Sequence, residues 1–433
     1  MQHRKYALLL GLLLTVLLLS VATVAQAQDP IQLQMTWWGS QARHDRTIKV
    51  VEMYEAENPG IDIVYEFANF NDYWTRLNTQ AAGGSLPCVM NQDYAYLAEW
   101  AKRGLLLPLN PYFEDGTLDV SNVDEGYLKG GEVDGQYYGL SLGTNSQAII
   151  LDVDAFEKAG LELPSPDWTW AEFEETAVAL HDKLDIWGYG SPSLADDQLA
   201  WTSLNLGYGL QTFSDDGTAL GYTDDQPLID HFNMILRLQE TGAIETAEEI
   251  TAEGDTGPEN SPIVTARSAM QYQWSNQVVA IFKAAGEDRN FKLWLLPRPE
   301  GGKSQNYLKP SMFFSIPTAC AYPEEAAKFI SFFTNDIEAN EILFAERGVP
   351  ISSEVRDALK PKLDAVGAET FDFLERVQAD SSPIFPPNPP GYNDIRNNVW
   401  IPLFRDPVLY GQLSVEDGIA ILRSEAEAIL SKN

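Results

Sequence analysis

Polar and apolar residues alternate along Gln32-Leu33-Gln34-Met35-Thr36-Trp37-Trp38, which predicts a strand ending in two adjacent tryptophans. Gly39-Ser40 breaks it. Residues 46–57 then carry Ile48, Val51 and Tyr54 at helical spacing, and Asn58-Pro59-Gly60 is the stop. Residues 61–67 predict a second strand. Asn71-Asp72-Tyr73-Trp74 opens a helix that ends at Gly83-Gly84, and Cys88-Val89-Met90 is a short buried strand. Residues 94–103 are helical, closed by Gly104. Strand and helix alternate, so a mainly parallel sheet covered by helices is expected.

The pattern loosens over residues 108–134, and the glycines between 135 and 145 read as a first crossing into a second lobe. A short helix at 154–159 ends at Gly160, and Pro164 to Trp170 forms a rigid turn. Thr169 can cap the helix that follows, with Glu172 in the capping-box position. Further helices are expected around 197–206, 226–241, 276–285 and 415–430, with a strand at 311–317 and a proline-initiated amphipathic helix from Pro323. Arg347-Gly348-Val349-Pro350 is a turn signal suited to a second crossing. The run Pro383 to Tyr392 is too proline-rich for regular structure, but its two aromatics predict an ordered loop.

The first thirty residues change the picture. His3, Arg4 and Lys5 precede an apolar run over 7–24, and Ala25-Gln26-Ala27 gives a small-x-small pattern. This is the order of a secretory signal, cut after Ala27; a permanent anchor is the alternative reading of the run. No cysteine lies near the cut, so no lipid anchor is expected, and no later stretch is long and apolar enough to span a bilayer. The remaining length exceeds one hydrophobic core, so two domains are expected. The net charge of −34 argues against nucleic acid and anionic membranes as partners. Cys88 and Cys320 stand alone; export permits a bond between them, but two cysteines do not make a framework.

Catalytic motifs are missing. His44, His181 and His231 have no metal-ligand spacing, and neither a nucleophile elbow nor a phosphate loop occurs. No cofactor, metal site or catalytic residue is therefore expected. A carboxylate pair for glycoside hydrolysis carries no weight among 63 acidic residues. The aromatic residues, 11% of the chain, instead gather at element ends. That suits a pyranose, whose C–H face stacks on rings and whose hydroxyl rim needs polar partners. The candidate ligand residues are Trp37, Trp38, Arg43, Asn71, Tyr73, Asp93, Tyr94, Asn145, Trp201, Trp274, Asn276, Phe313 and Tyr392. Strand neighbours face opposite ways, so one of Trp37 and Trp38 enters the lobe, and Trp38 is favoured for the cleft. Tyr73 is expected to be exposed, with Trp74 packing its helix. Asp93 is either a helix cap or a hydroxyl acceptor, and Asn145 either a turn residue or a donor. Arg43 and His44 read equally well as solvated loop residues. Trp168 and Trp170 are expected to pack their turn. Trp274 with Asn276 is the best pair, since Trp-Ser-Asn-Gln between apolar segments has no evident packing purpose.

In order along the chain, several stretches resemble the extracellular solute-binding proteins of family 1, the carbohydrate-binding components of ABC importers. They include Met35-Thr36-Trp37-Trp38-Gly39, Asn71-Asp72-Tyr73-Trp74-Thr75-Arg76-Leu77, the Tyr96 to Gly104 run, Gly143-Thr144-Asn145, Pro166 to Trp170, Trp274-Ser275-Asn276-Gln277, Glu324 to Ile330, and Arg347-Gly348-Val349-Pro350. The resemblance implies a type II-like periplasmic-binding-protein fold. Two α/β lobes, each a mainly parallel sheet with helices, would be joined by crossing segments and close on a sugar. On this reading residues 1–27 are the signal, 28–142 and 309–347 form the N-terminal lobe, and 143–308 and 348–433 the C-terminal lobe. The resemblance also implies a monomer in the periplasm or medium that docks on permease subunits. Cys88 departs from the family, which usually has an acidic residue there after a proline.

Overall fold

The computed structural model describes residues 30–432 except 40, 69, 191, 254–259 and 287. The predicted signal at 1–27 lies outside the described residues.

The first sheet starts from the alternating segment. Strand β1 (Ile31–Trp38) leads through helix α1 (Gln41–Glu57) to β2 (Ile61–Ala68). It continues through α2 (Phe70–Gly83) to β3 (Val89–Gln92) and α3 (Tyr94–Lys102). β1 pairs in parallel with both β2 and β3, as right-handed strand–helix–strand crossovers produce. The sheet is completed by β4 (Leu140–Ser141) and by β11 (Phe313–Ser315), which returns late in the chain and runs antiparallel to β3 and β4.

Between these strands the chain builds a second sheet. The hinge strand β5 (Thr144–Asn145) runs into β6 (Gln147–Asp152), which is wholly buried. Helix α4 (Trp170–Leu184) begins with the predicted capping box: Glu172 N–H donates to Thr169 Oγ1 at 3.2 Å, and Thr169 N–H to Glu172 Oε2 at 2.7 Å. Strand β7 (Trp187–Tyr189) follows, then α5 (Gln226–Thr241), β8 (Ser268–Trp274) and β9 (Phe291–Trp294). The order is β9-β6-β8-β7, and only β7–β8 is parallel. The expected mainly parallel second sheet is thus corrected to a mixed one. β6 enters from the crossing rather than from a helix, so its neighbours run against it.

Three segments meet at the crossing. β5 pairs with β10 (Lys309–Pro310), and Thr144 also bridges Val349. Gly143 is required there, because a Cβ would lie 2.4 Å from the Arg347 carbonyl oxygen; Gly348 has φ of +101°. The chain past 348 does not pass directly into the second lobe. Helix α6 (Ser353–Leu359) stays with the first, where Asn122 donates to Glu354 and Arg356 lies 3.7 Å from Asp124. Helix α7 (Ala365–Ala379) then reaches β9, its Glu369 accepting from Leu293 N–H at 2.9 Å.

Cys88 and Cys320 form a disulfide within the first lobe. It joins the approach to β3 to the turn after β11.

His231 on α5 is buried, donates through Nε2 to the Leu194 carbonyl and packs against Trp170. Burial depresses its pKa to about 4. The unfolded chain therefore binds this proton below its ordinary pKa of about 6.5, while the folded chain refuses it until near 4. Stability on the order of 3 kcal/mol is expected to disappear as pH falls through that window. Urea titrations at pH 7 and pH 4.5 should show a shallower pH dependence for His231→Gln. Equal dependence in the two proteins would exclude this histidine as a source.

Candidate functional site

The carboxyl end of β3 faces the crossing and the proline-rich segment, and a crevice of about 120 Å³ lies between them. Its first-lobe wall is the start of α3. Asp93 caps that helix by accepting from Ala95 N–H at 2.9 Å, and Tyr94 follows it. The opposite wall includes Gln198 and Thr202, on a helical segment (Gln198–Ser203) with π-type winding. Such winding turns successive side chains off the usual stripe. Tyr307 and Lys309 line the crevice from the crossing, and Phe385 and Tyr392 from the proline-rich loop.

Rings dominate. The Phe385 and Tyr307 centroids are 4.9 Å apart, edge to face, and Trp274 stands 6.1 Å behind Tyr307. Lys309 Nζ lies 4.8 Å from the Trp274 ring centroid, where a cation is attracted by the ring face. Tyr94 Oη donates to the Phe385 carbonyl, and Tyr392 Oη to Asp197. Asp197 is buried and also receives Arg396 Nε at 2.9 Å. Beside it, burial and then the Asp197 charge raise the pKa of Asp196. Burial lowers the Lys309 pKa, opposed by Asp93, and raises those of Tyr94 and Tyr392 well beyond the ordinary range. The tyrosines thus remain neutral hydroxyls. The crevice offers ring faces, neutral hydroxyls, amides and a few charges. Among the described residues no group of three His, Cys, Asp or Glu is placed to hold a metal.

Of the predicted ligand residues, Asp93, Tyr94 and Tyr392 line this crevice; Trp274 does not, but stands half-buried behind two residues that do, Tyr307 and Lys309. Asp93 is both a helix cap and a crevice carboxylate. Asn145 sits on the hinge strand opposite Lys309, and Asn276 is exposed in the turn after Trp274. The Asn71 side chain lies outside what the structure describes.

The others belong to the interior. Trp37 is fully buried and donates to His44 Nδ1 at 3.0 Å. Trp38, favoured for the cleft, packs instead among Phe70, Tyr73 and Trp74. Helices cover both faces of the sheet, so alternation along β1 exposes neither tryptophan. Tyr73 is fully buried rather than exposed, its hydroxyl donating to the Asn91 carbonyl at 2.6 Å. Arg43 is not solvated but grips Glu346 at 2.9 Å. Trp201 stacks on Trp400 at 5.1 Å and donates to Tyr222 in the second core. Phe313 is buried against Gly139, where a Cβ would lie 2.8 Å from its own.

Sequence reasoning missed Gln198, Thr202, Tyr307, Lys309 and Phe385. Only Phe385 left a signal, as an aromatic inside a proline run. The rest come from segments remote in sequence that meet at the crossing.

Two α/β lobes with a crevice at the crossing define a two-lobed binding protein. The profile of the bacterial extracellular solute-binding proteins matches residues 41–339, and the chain belongs to that family. The family is one of substrate binding, exported from the cytoplasm. Among solved structures, a family 1 extracellular solute-binding protein of Alicyclobacillus acidocaldarius is 28% identical, with a TM-score of 0.83 over 93% of this chain and 99% of that one. A periplasmic oligogalacturonide-binding protein of Yersinia enterocolitica shares the fold at 22% identity, with a TM-score of 0.77 over 93% of this chain and 99% of that one. A Brucella abortus protein described as a binding protein is 25% identical over 203 residues, 46% of this chain and 49% of that protein. The chain thus spans about half the length of the curated relatives it matches first.

Proposed function

We propose that the protein is a monomeric carrier that captures a sugar in the crevice between its lobes and delivers it to the membrane permease of an ABC importer. The observation that carries this reading is the ring-walled crevice, in which Tyr94, Tyr307, Phe385 and Tyr392 surround Asp93, Lys309 and two polar side chains of the π-wound segment. Rings take the apolar face of a pyranose, and the polar groups take its hydroxyls. The oligosaccharide ligands in the names of structural neighbours from Yersinia and Listeria support the same class. The ligand residues proposed are Asp93, Tyr94, Trp274, Lys309 and Tyr392, and turnover of the sugar forms no part of the reading. Residues 1–27 act as an export signal cut after Ala27. Among the described residues no helix is long and apolar enough to cross a membrane.

A thermal-shift screen over mono- and oligosaccharides tests this. A sugar at 100 times its dissociation constant is expected to add about 2.7 kcal/mol of stability. A midpoint raised only by peptides or ions would overturn the sugar reading, as would release of shortened products.

A further inference from the structure

A second cavity, about 570 Å³, lies on the far side of the proline-rich loop. Tyr94 and Ile384 belong to the walls of both cavities. Small-molecule sites usually occupy about 300–1,000 Å³. The crevice alone falls below that range, and the outer chamber falls within it. Between them stand Ile384 and the bond from the Tyr94 hydroxyl to the Phe385 carbonyl. The backbone from 382 to 390 forms no helix or strand, so only a loop separates the two spaces.

The chamber joins apolar surface to a polar rim, with Tyr94 as its one ring. Leu97, Val133, Leu308 and Pro386 supply apolar surface. Its rim is acidic: Glu125, Glu132, Asp134 and Asp215 stand against Lys102 and Lys129. Lys129 is already engaged, at 3.3 Å from Glu125 and 2.9 Å from Glu132. Carboxylates accept hydrogen bonds from hydroxyls and repel other carboxylates. Asp215 comes from the second lobe and the other acids from the first, so the chamber, like the crevice, is walled by both.

We infer that the crevice and the outer chamber are two ends of one groove, and that the ligand is a neutral oligosaccharide long enough to run past Tyr94 and Ile384 into both. The inference rests on the sugar reading above.

Calorimetric titration of the full chain with neutral glucose, galactose and xylose oligomers of one to six units, and with galacturonate oligomers, tests it. Affinity for the preferred neutral series is expected to rise at least tenfold between one unit and four. Ala98 lines the chamber from α3, and Ala98→Trp is expected to flatten that rise. Ser381→Trp fills the chamber from the opposite wall and serves if the first variant does not fold. Affinity that does not grow with length would overturn the inference and leave the sugar reading standing. So would a chamber-filling variant that keeps the full gain, or galacturonate oligomers binding more tightly than neutral ones. Failure of every sugar to bind would overturn both.

Discussion

Replacing Trp274 by alanine is expected to weaken sugar binding about thirtyfold, close to the 2 kcal/mol typical of a central tryptophan, while leaving the unfolding transition nearly in place. The ring is half-buried at the end of β8, outside the core clusters, and packs behind Tyr307 and Lys309 of the crevice wall. One face is covered by Lys309 at 4.8 Å. A sugar that stacks on this ring displaces the ammonium, which remains in reach as a donor to hydroxyls. Titration of the variant followed by calorimetry, with a thermal melt of the free protein, checks both parts. Unaltered affinity would show that the ring serves only to anchor Lys309. A large fall in melting temperature would place it in the packing.

Loss of the Cys88–Cys320 disulfide is expected to cost about 2–5 kcal/mol. The bond closes a loop of 232 residues, long enough for the chain-entropy account to place the cost at the upper end of that range. A Cys88→Ala/Cys320→Ala double variant should unfold at distinctly lower urea concentration than the parent. The parent should approach the variant when reductant is added. An identical midpoint for the two under oxidising conditions would show that the bond constrains nothing the fold does not already hold. Such bonds persist where thiols are oxidised, in keeping with a family that works outside the cytoplasm.

How far each of these features could be read from sequence differs. The β1–α1–β2–α2–β3 order follows from spacing alone, because period-two and period-3.6 patterns interrupted by glycine leave little choice. The Thr169–Glu172 cap was legible because it needs only two residues three apart. The crevice was not. Trp38, Trp201 and Phe313 carry the same ring chemistry as Tyr94 and Tyr392. What separates them is what packs over each ring, which is a tertiary fact: Phe70, Tyr73 and Trp74 enclose Trp38, Trp400 stacks on Trp201, and Gly139 lies against Phe313. Lys309 gave no sign at all, since one lysine before a proline reads as a surface turn.

The return of β11 to the first sheet also governs the order in which this protein can be made. Its partners on either side, β3 and β4, precede the hinge strand, and the whole second sheet is synthesised before residue 313 arrives. Until then the inner edge of β3 has no neighbour on that side, and Cys88 has no cysteine to meet. Contacts so distant in sequence form slowly, and unpaired edges invite pairing with other chains. A chain emerging N-terminus first would therefore have every strand of its second sheet before the last strand of its first, although the second core still awaits Trp400 and its neighbours. The step most exposed to aggregation is the wait for residues 313–320.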